Sequence, residues 1–204
     1  VTGANFVAKL GAANDIDLTK LSLTGDGAVT YSLASASAEI TSATSFTVTL
    51  SGNDALAVSG LLNKDGTASD DATTYSLTAA DNWLANAAPT TDISDVTGIT
   101  LSNYALPVIT SATYSTADGS LVVTGTNFVS KSGAANDVDI STLTLTGEAG
   151  ATYAITSAVD IEVTSATQFT LVLTGADKTA VDLLLNKSGT SSTDVTTYNV
   201  GGTD

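Results

Sequence analysis

The chain contains a long internal repeat. Val1-Thr2-Gly3-Ala4-Asn5-Phe6-Val7 returns as Val123-Thr124-Gly125-Thr126-Asn127-Phe128-Val129, and Gly11-Ala12-Ala13-Asn14-Asp15-Ile16-Asp17 returns as Gly133-Ala134-Ala135-Asn136-Asp137-Val138-Asp139. Between residues 1–33 and 123–155, 19 of 33 aligned positions are identical. One residue is inserted near Asp160, after which Asn63-Lys64 matches Asn186-Lys187 and Tyr75 matches Tyr198. Solenoid units are far shorter than this period, so the repeat means tandem domains, each long enough to bury its own core.

The two copies are not coextensive. The second begins near Pro107, and residues 107–122 have no counterpart before Val1; the first runs on through residues 82–106, which have no counterpart after Asp204. The division expected is residues 1–106 for a first repeat without its opening strand region, and 107–204 for a second without its C-terminal part. With no methionine in the chain, it reads as a window on a longer array. A sharper expectation is that neighbouring repeats or copies of the chain supply the absent strands to one another by strand addition.

Charged residues make up 13% and aromatics 5%, while small and β-branched residues dominate, a profile of many short strands rather than of a helical bundle. The net charge of −15 arises from 21 acids against six lysines, with no arginine. Nucleic acid and anionic membranes need basic patches, so neither is an expected partner, and no apolar run is long enough for membrane insertion. No cysteine is present, so no disulfide and no thiolate metal site contributes to the fold.

Alternation of apolar and polar residues is clear in Leu21-Ser22-Leu23-Thr24, Thr142-Leu143-Thr144-Leu145-Thr146, Thr30-Tyr31-Ser32-Leu33 and Thr152-Tyr153-Ala154-Ile155. It is strongest in Gln168-Phe169-Thr170-Leu171-Val172-Leu173 and its copy Ser45-Phe46-Thr47-Val48-Thr49-Leu50, as half-buried strands require. Gly25-Asp26-Gly27 and Gly147-Glu148-Ala149-Gly150 punctuate these runs as turns. One segment per repeat is helical instead: Val181, Leu184 and Leu185 share a stripe over residues 177–186, as do Val58, Leu61 and Leu62. Asp54 and Asp177 near the helix starts suit its exposed amides. The fold expected is mostly β: tandem immunoglobulin-like β-sandwich domains of roughly seven strands, each with one short helix, with a β-rich α+β domain as the alternative.

Catalytic equipment is sparse. Without His, Cys or Arg, the common general bases, thiol nucleophiles and oxyanion or phosphate clamps are missing, and no nucleophile-elbow or P-loop spacing occurs, so the chain reads as a non-enzyme. The strongest site candidate is Asn14, Asp15 and Asp17, repeated as Asn136, Asp137 and Asp139. Two aspartates one residue apart on an extended segment project the same way, and calcium is held by several such oxygens. Asp92 and Asp95, in the stretch leading toward the second copy, are candidates for further ligands. Asn63-Lys64 and Asn186-Lys187 read as helix-end residues rather than as partners of an isopeptide crosslink. Trp83 and Tyr104 are the aromatics outside the alternating strands; an exposed Trp83 would favour sugar binding and a buried one a structural role.

The string Ile109-Thr110-Ser111-Ala112-Thr113-Tyr114, followed by Leu121-Val122-Val123-Thr124-Gly125-Thr126-Asn127-Phe128-Val129, resembles repeats of similar length in giant bacterial surface proteins. The likeness continues through Asn136-Asp137, Leu145-Thr146-Gly147-Glu148, Phe169, Asn186-Lys187-Ser188-Gly189 and Thr197-Tyr198-Asn199, and covers essentially the whole chain. Such proteins are RTX-type adhesins or surface-layer components, often exported by type I secretion, and the Val-Thr-Gly-Thr-Asn-Phe segment is similar to the opening of IPT/TIG-type immunoglobulin-like domains. The resemblance implies a sandwich fold and an extracellular, calcium-rich setting at the cell surface, and no catalytic residue. Residues 63–71 depart from it at Asp65 and Ala68. The expected function is therefore a structural module that extends or assembles a surface protein, adhesin or filament, with calcium stiffening its junctions; the alternative is a calcium-dependent module for a carbohydrate such as surface polysaccharide. The short Tyr104-Ala105-Leu106-Pro107 connection, with Pro107 restraining Leu106, suits a stiff junction.

Overall fold

A computed structural model of the chain describes residues 1–88, 95–157 and 159–202, with the backbone alone at Asp95. The protein is mostly β, antiparallel throughout, with two α-helices. It divides into two compact units, Val1–Tyr104 and Ala105–Asp204.

In the first unit the alternating Leu21-Ser22-Leu23-Thr24 forms β1 (Leu21–Thr24), with Leu21 and Leu23 buried. It pairs on one side with β2 (Thr30–Ser32) and on the other with β5 (Ser76–Ala79), whose far edge carries β6 (Asp95–Gly98). A second, two-stranded sheet joins β3 (Ile40–Ser42) to β4 (Ser45–Phe46). Between the sheets in sequence lies α1 (Gly52–Leu61), which buries Leu56 and Leu61 and closes with the Leu62 amide on the Val58 carbonyl at 2.9 Å. The core gathers Ile16, Leu21, Phe46, Leu62, Tyr75 and Leu84, among others.

The second unit repeats this plan. A hairpin of β7 (Val108–Tyr114) and β8 (Ser120–Thr126) pairs through β8 with β11 (Gln168–Val172), giving the order β11-β8-β7. The other sheet is β10-β9-β12, from β9 (Leu143–Thr146), β10 (Thr152–Ala154) and β12 (Asn199–Gly202). The helix is α2 (Gly175–Leu184), burying Val181 and Leu184. Thus β9, β10, β11, β12 and α2 answer to β1, β2, β4, β5 and α1.

Each helix end rests on the turn after the first of these strands. A Cβ on Gly25 would lie 2.3 Å from the Leu61 carbonyl oxygen, and one on Gly147 at 2.3 Å from that of Leu184, so only glycine admits the helix there.

Some elements differ from expectation. Six strands per unit are assigned among the described residues, not seven, and the sheet orders fit a β-rich α+β fold without singling out an immunoglobulin-like arrangement. Both helices begin earlier and end sooner than the apolar stripe suggests, because Leu62 and Leu185 serve as C-caps. Their aspartates do not cap them, since Asp54 and Asp177 turn inward to other partners. The strand expected over residues 45–50 shrinks to β4, although its copy forms the five-residue β11. The reason is the partner: β11 lies along β8, whereas only the short segment around Thr2 lies beside Ser45.

Candidate functional site

The most concentrated polar chemistry of each unit is a set of carboxylates turned inward onto loops. Asp15 is fully buried, and it follows a Gly-Ala-Ala-Asn loop that reverses the chain with Ala13 at φ 49°. Its Oδ1 accepts from the Lys9 amide and its Oδ2 from the Ile40 amide at 2.8 Å. These two amides hold its carboxyl below the ordinary aspartate range. Asp137 repeats the arrangement with the Lys131 amide and the Val163 amide at 2.6 Å.

Asp17 and Asp139 do something different. Each is the N-cap of a single 3₁₀ turn, Leu18–Lys20 or Ile140–Thr142. Asp17 Oδ1 accepts from the Thr19 amide and hydroxyl at 3.1 and 2.6 Å, and Asp139 Oδ1 from those of Ser141 at 2.9 and 2.6 Å. Asn14 and Asn136 donate from Nδ2 to the carbonyls of Leu10 and Ser132, at 3.1 and 2.9 Å, within the same loops. Their Oδ1 atoms are buried without a hydrogen-bond partner.

The sequence-level calcium set therefore separates into three tasks. Two aspartates one residue apart share a side only on a regular strand, and here Ile16 forms isolated bridges to Ala38 and Leu84 rather than part of a named strand. Asp92 lies outside the described residues, and Asp95 is placed by its backbone in β6, opposite Ala79. Calcium requires several converging oxygens, whereas the oxygens of Asp15 and Asp137 face N–H donors. In this loop the carboxylates of Asp15 and Asp137 anchor backbone amides. Among the described residues no group of three or more Asp, Glu, His or Cys side chains comes together.

A second buried carboxylate in each unit joins the helix to the turn after β2 or β10. Asp54 accepts from the Tyr31 hydroxyl at 2.8 Å, from the amides of Ala34 and Ser35 at 2.9 and 2.8 Å, and from the Ser35 hydroxyl. Burial alone would raise its pKa, but the hydrogen bonds from Ser35, Ala34 and Tyr31 outweigh that and lower it. Burial, with the same carboxylate beside it, pushes the Tyr31 phenol up to about 12. Asp177 binds the Tyr153 hydroxyl at 2.7 Å, the Thr156 amide and hydroxyl at 3.0 and 2.7 Å, and the Ser157 amide at 3.0 Å.

The third anchor is a Ser-x-Asp-x-Thr-Thr-Tyr segment at residues 69–75 and 192–198. Asp71 accepts from the Ser69 hydroxyl, the Thr73 amide at 2.9 Å and, across the fold, the Gly27 amide at 2.9 Å. Asp194 does likewise with Ser192, the Thr196 amide at 3.1 Å and the Ala149 amide at 2.9 Å. The serine and threonine bonds hold the Asp194 carboxyl down at about 2. Tyr75 and Tyr198 close the segment: each hydroxyl accepts from the amide of Lys64 or Lys187 and donates to that residue's carbonyl at 3.1 Å. Asn63 and Asn186 brace the same segment through the amides of Asp70 and Thr193, at 3.0 and 3.1 Å.

Sequence reading put Asp54 and Asp177 at helix starts and singled out no serine–aspartate–threonine segment, and so missed these two anchors. The signal available was recurrence: serine, aspartate, both threonines and tyrosine return at one spacing in both copies.

Trp83, the other open question, is half-buried. Its ring lies 5.7 Å from Phe6, edge on, and 6.2 Å from Phe46, so it packs as part of an aromatic cluster. A cleft of about 210 Å³ runs beside that cluster, lined by Val1, Gly3, Phe46, Leu77, Ala79 and Trp83 among others. No helix among the described residues is long and apolar enough to cross a membrane. No protein-family model, curated protein or solved structure matches the chain.

Proposed function

We propose that the chain is a non-enzymatic structural module of an extracellular surface protein, each unit serving as a rigid bead that extends or assembles the whole. The observation that carries this reading is where the polar investment goes. Asp15, Asp54 and Asp71, with Asp137, Asp177 and Asp194, spend their carboxylates on the protein's own amides and hydroxyls. Catalytic carboxylates instead face a cleft, where a substrate proton or charge can reach them. Three loops per unit are thereby fixed without disulfides, which suits a part whose work is to keep its shape.

The half-buried packing of Trp83 supports this reading over the carbohydrate-binding alternative, which needs an exposed aromatic platform. Labelling intact producing cells with an antibody raised against the chain tests the proposal. Surface labelling without permeabilisation is the expected result; labelling that appears only after the cells are opened would overturn it.

A further inference from the structure

Strand β7 adds little to the core of the second unit. Of its seven residues only Ile109 and Tyr114 are half-buried and the rest are exposed, whereas β8 beside it buries Leu121, Val123 and Gly125. A bulge between Ile109 and Ser111 interrupts the ladder to β8 near the Val108 end. The Tyr114 end is held by the helix as well as by the ladder. The Tyr114 hydroxyl donates to Asp182 at 2.8 Å, and Lys178 Nζ donates to Asp182 at 2.6 Å and to the Thr116 carbonyl at 2.7 Å. The Lys178 stem crosses the hairpin turn, with its Cδ 3.3 Å from the place of a Cβ on Gly119.

These charges are placed against the helix that carries them. Lys178 lies near the start of α2 and Asp182 in its last turn, the reverse of the order that the helix dipole favours. The corresponding residues of α1 are Ala55 and Ser59, so a helix of the same length forms without the pair. What the pair gains is the hairpin, since its bonds beyond α2 go to Tyr114 and Thr116.

We propose that β7 is a releasable strap of the second unit, and that Tyr114, Lys178 and Asp182 form the latch that controls its release. The strap opens while β8, β11 and the β10-β9-β12 sheet stay folded, because its departure uncovers little apolar surface. Tension along the chain reaches Val108 first, through Pro107. A strand pulled from one end parts from its neighbour rung by rung, so each rung resists alone. The bulge weakens the first rungs, and the latch stands at the last. Under load the unit then yields length up to Tyr114 without losing its core.

This inference rests on the reading of the chain as an extending module, but it is tested in solution, so its failure leaves the cell-surface result untouched. The experiment follows amide hydrogen exchange of the isotope-labelled full chain by NMR in low concentrations of urea. The Ser115 amide, which bonds the Ser120 carbonyl at 2.9 Å beside the latch, is the probe, and the amides of β9 are the reference. Ser115 is expected to exchange through an opening with a shallower urea dependence than β9, since less surface is exposed. Asp182→Ala should speed Ser115 exchange at least about fivefold and leave β9 less than about twofold changed. Tyr114→Phe, which removes only the hydroxyl, should speed it too, and should add less than about twofold to the effect of Asp182→Ala. The proposal is overturned if Ser115 shares the urea dependence of β9, if the Asp182→Ala rise is smaller than this or equal in β9, or if the two substitutions multiply.

Discussion

At the scale of single residues, the aspartates show how one side chain takes opposite roles according to what faces it. An aspartate ringed by oxygens collects a cation, whereas Asp54, ringed by two amides and two hydroxyls, is itself the anion that those donors require. Replacing it with the isosteric Asn keeps one acceptor but turns an NH₂ toward the donors of Ala34 and Ser35. Asp54→Asn should cost about 2–3 kcal/mol, since buried donors lose a charged partner. Urea unfolding followed by fluorescence of Trp83, the single tryptophan, reports this loss in the first unit; an unchanged midpoint would sink the anchoring role. The spacing of Asp15 and Asp17 was legible in the sequence, but the hydrogen bonds of Asp15 were not, because one partner, the Ile40 amide, is 25 residues away. Val195 makes the opposite point, being a β-branched residue held at φ 73° with its side chain 77% exposed. That region clashes with a branched Cβ, so Val195→Gly should stabilise the second unit by about 1 kcal/mol. Its thermal midpoint should rise by several degrees, and a fall would mean that the side chain contributes packing.

At the scale of elements, strands and helices were legible where their partners are local. The alternation of Leu21-Ser22-Leu23-Thr24 gave β1, and the stripe Val181, Leu184 gave α2, since each pattern reports a buried face whatever covers it. The segment at 45–50 misled for a physical reason: alternation shows that a strand is suited to pairing, not that a partner lies alongside. Helix placement carries its own requirement at the β1–β2 and β9–β10 turns. Because a Cβ on Gly25 would meet the Leu61 carbonyl at 2.3 Å, backbone rather than a flexible side chain must move. Gly25→Ala should therefore cost about 1–3 kcal/mol by overpacking, the φ of −156° at Gly25 lying outside the left-handed region that favours glycine. Comparing denaturation of Gly25→Ala with that of Gly66→Ala, a glycine at φ 118° with open space around its Cβ, separates the two causes. A larger loss at Gly66 would make backbone strain, not helix contact, the dominant constraint.

For the whole molecule, composition and anchors together fix the response to pH. With no histidine and no cysteine, no side chain of ordinary pKa changes charge between about pH 5 and pH 9, so stability should be level there. The carboxylates of Asp15, Asp54, Asp177 and Asp194 titrate below their ordinary value when folded. As pH falls below about 4 the unfolded chain binds protons first, so their stabilisation is present above that point. It is lost progressively toward pH 2, near which Asp194 itself protonates in the fold. At the alkaline end the signs reverse, for the folded state keeps the Tyr31 proton up to about 12 while an unfolded tyrosine releases it near 10. Tyr75, Tyr114 and Tyr153 are displaced upward as well, so stability declines from about pH 10. Urea midpoints measured from pH 2 to 12 on dilute protein should trace a plateau with two falling limbs. The dilution matters because the net charge vanishes near the isoelectric point of about 4.1. A plateau sloping between pH 5 and 9 would contradict the inventory of titrating groups. Millimolar calcium should leave the plateau height unchanged relative to EDTA, since an ion bound at a hundredfold excess over its Kd would raise it by about 2.7 kcal/mol. A rise of that size would return the Asp15 and Asp137 loops to the role of cation sites, with their amides displaced.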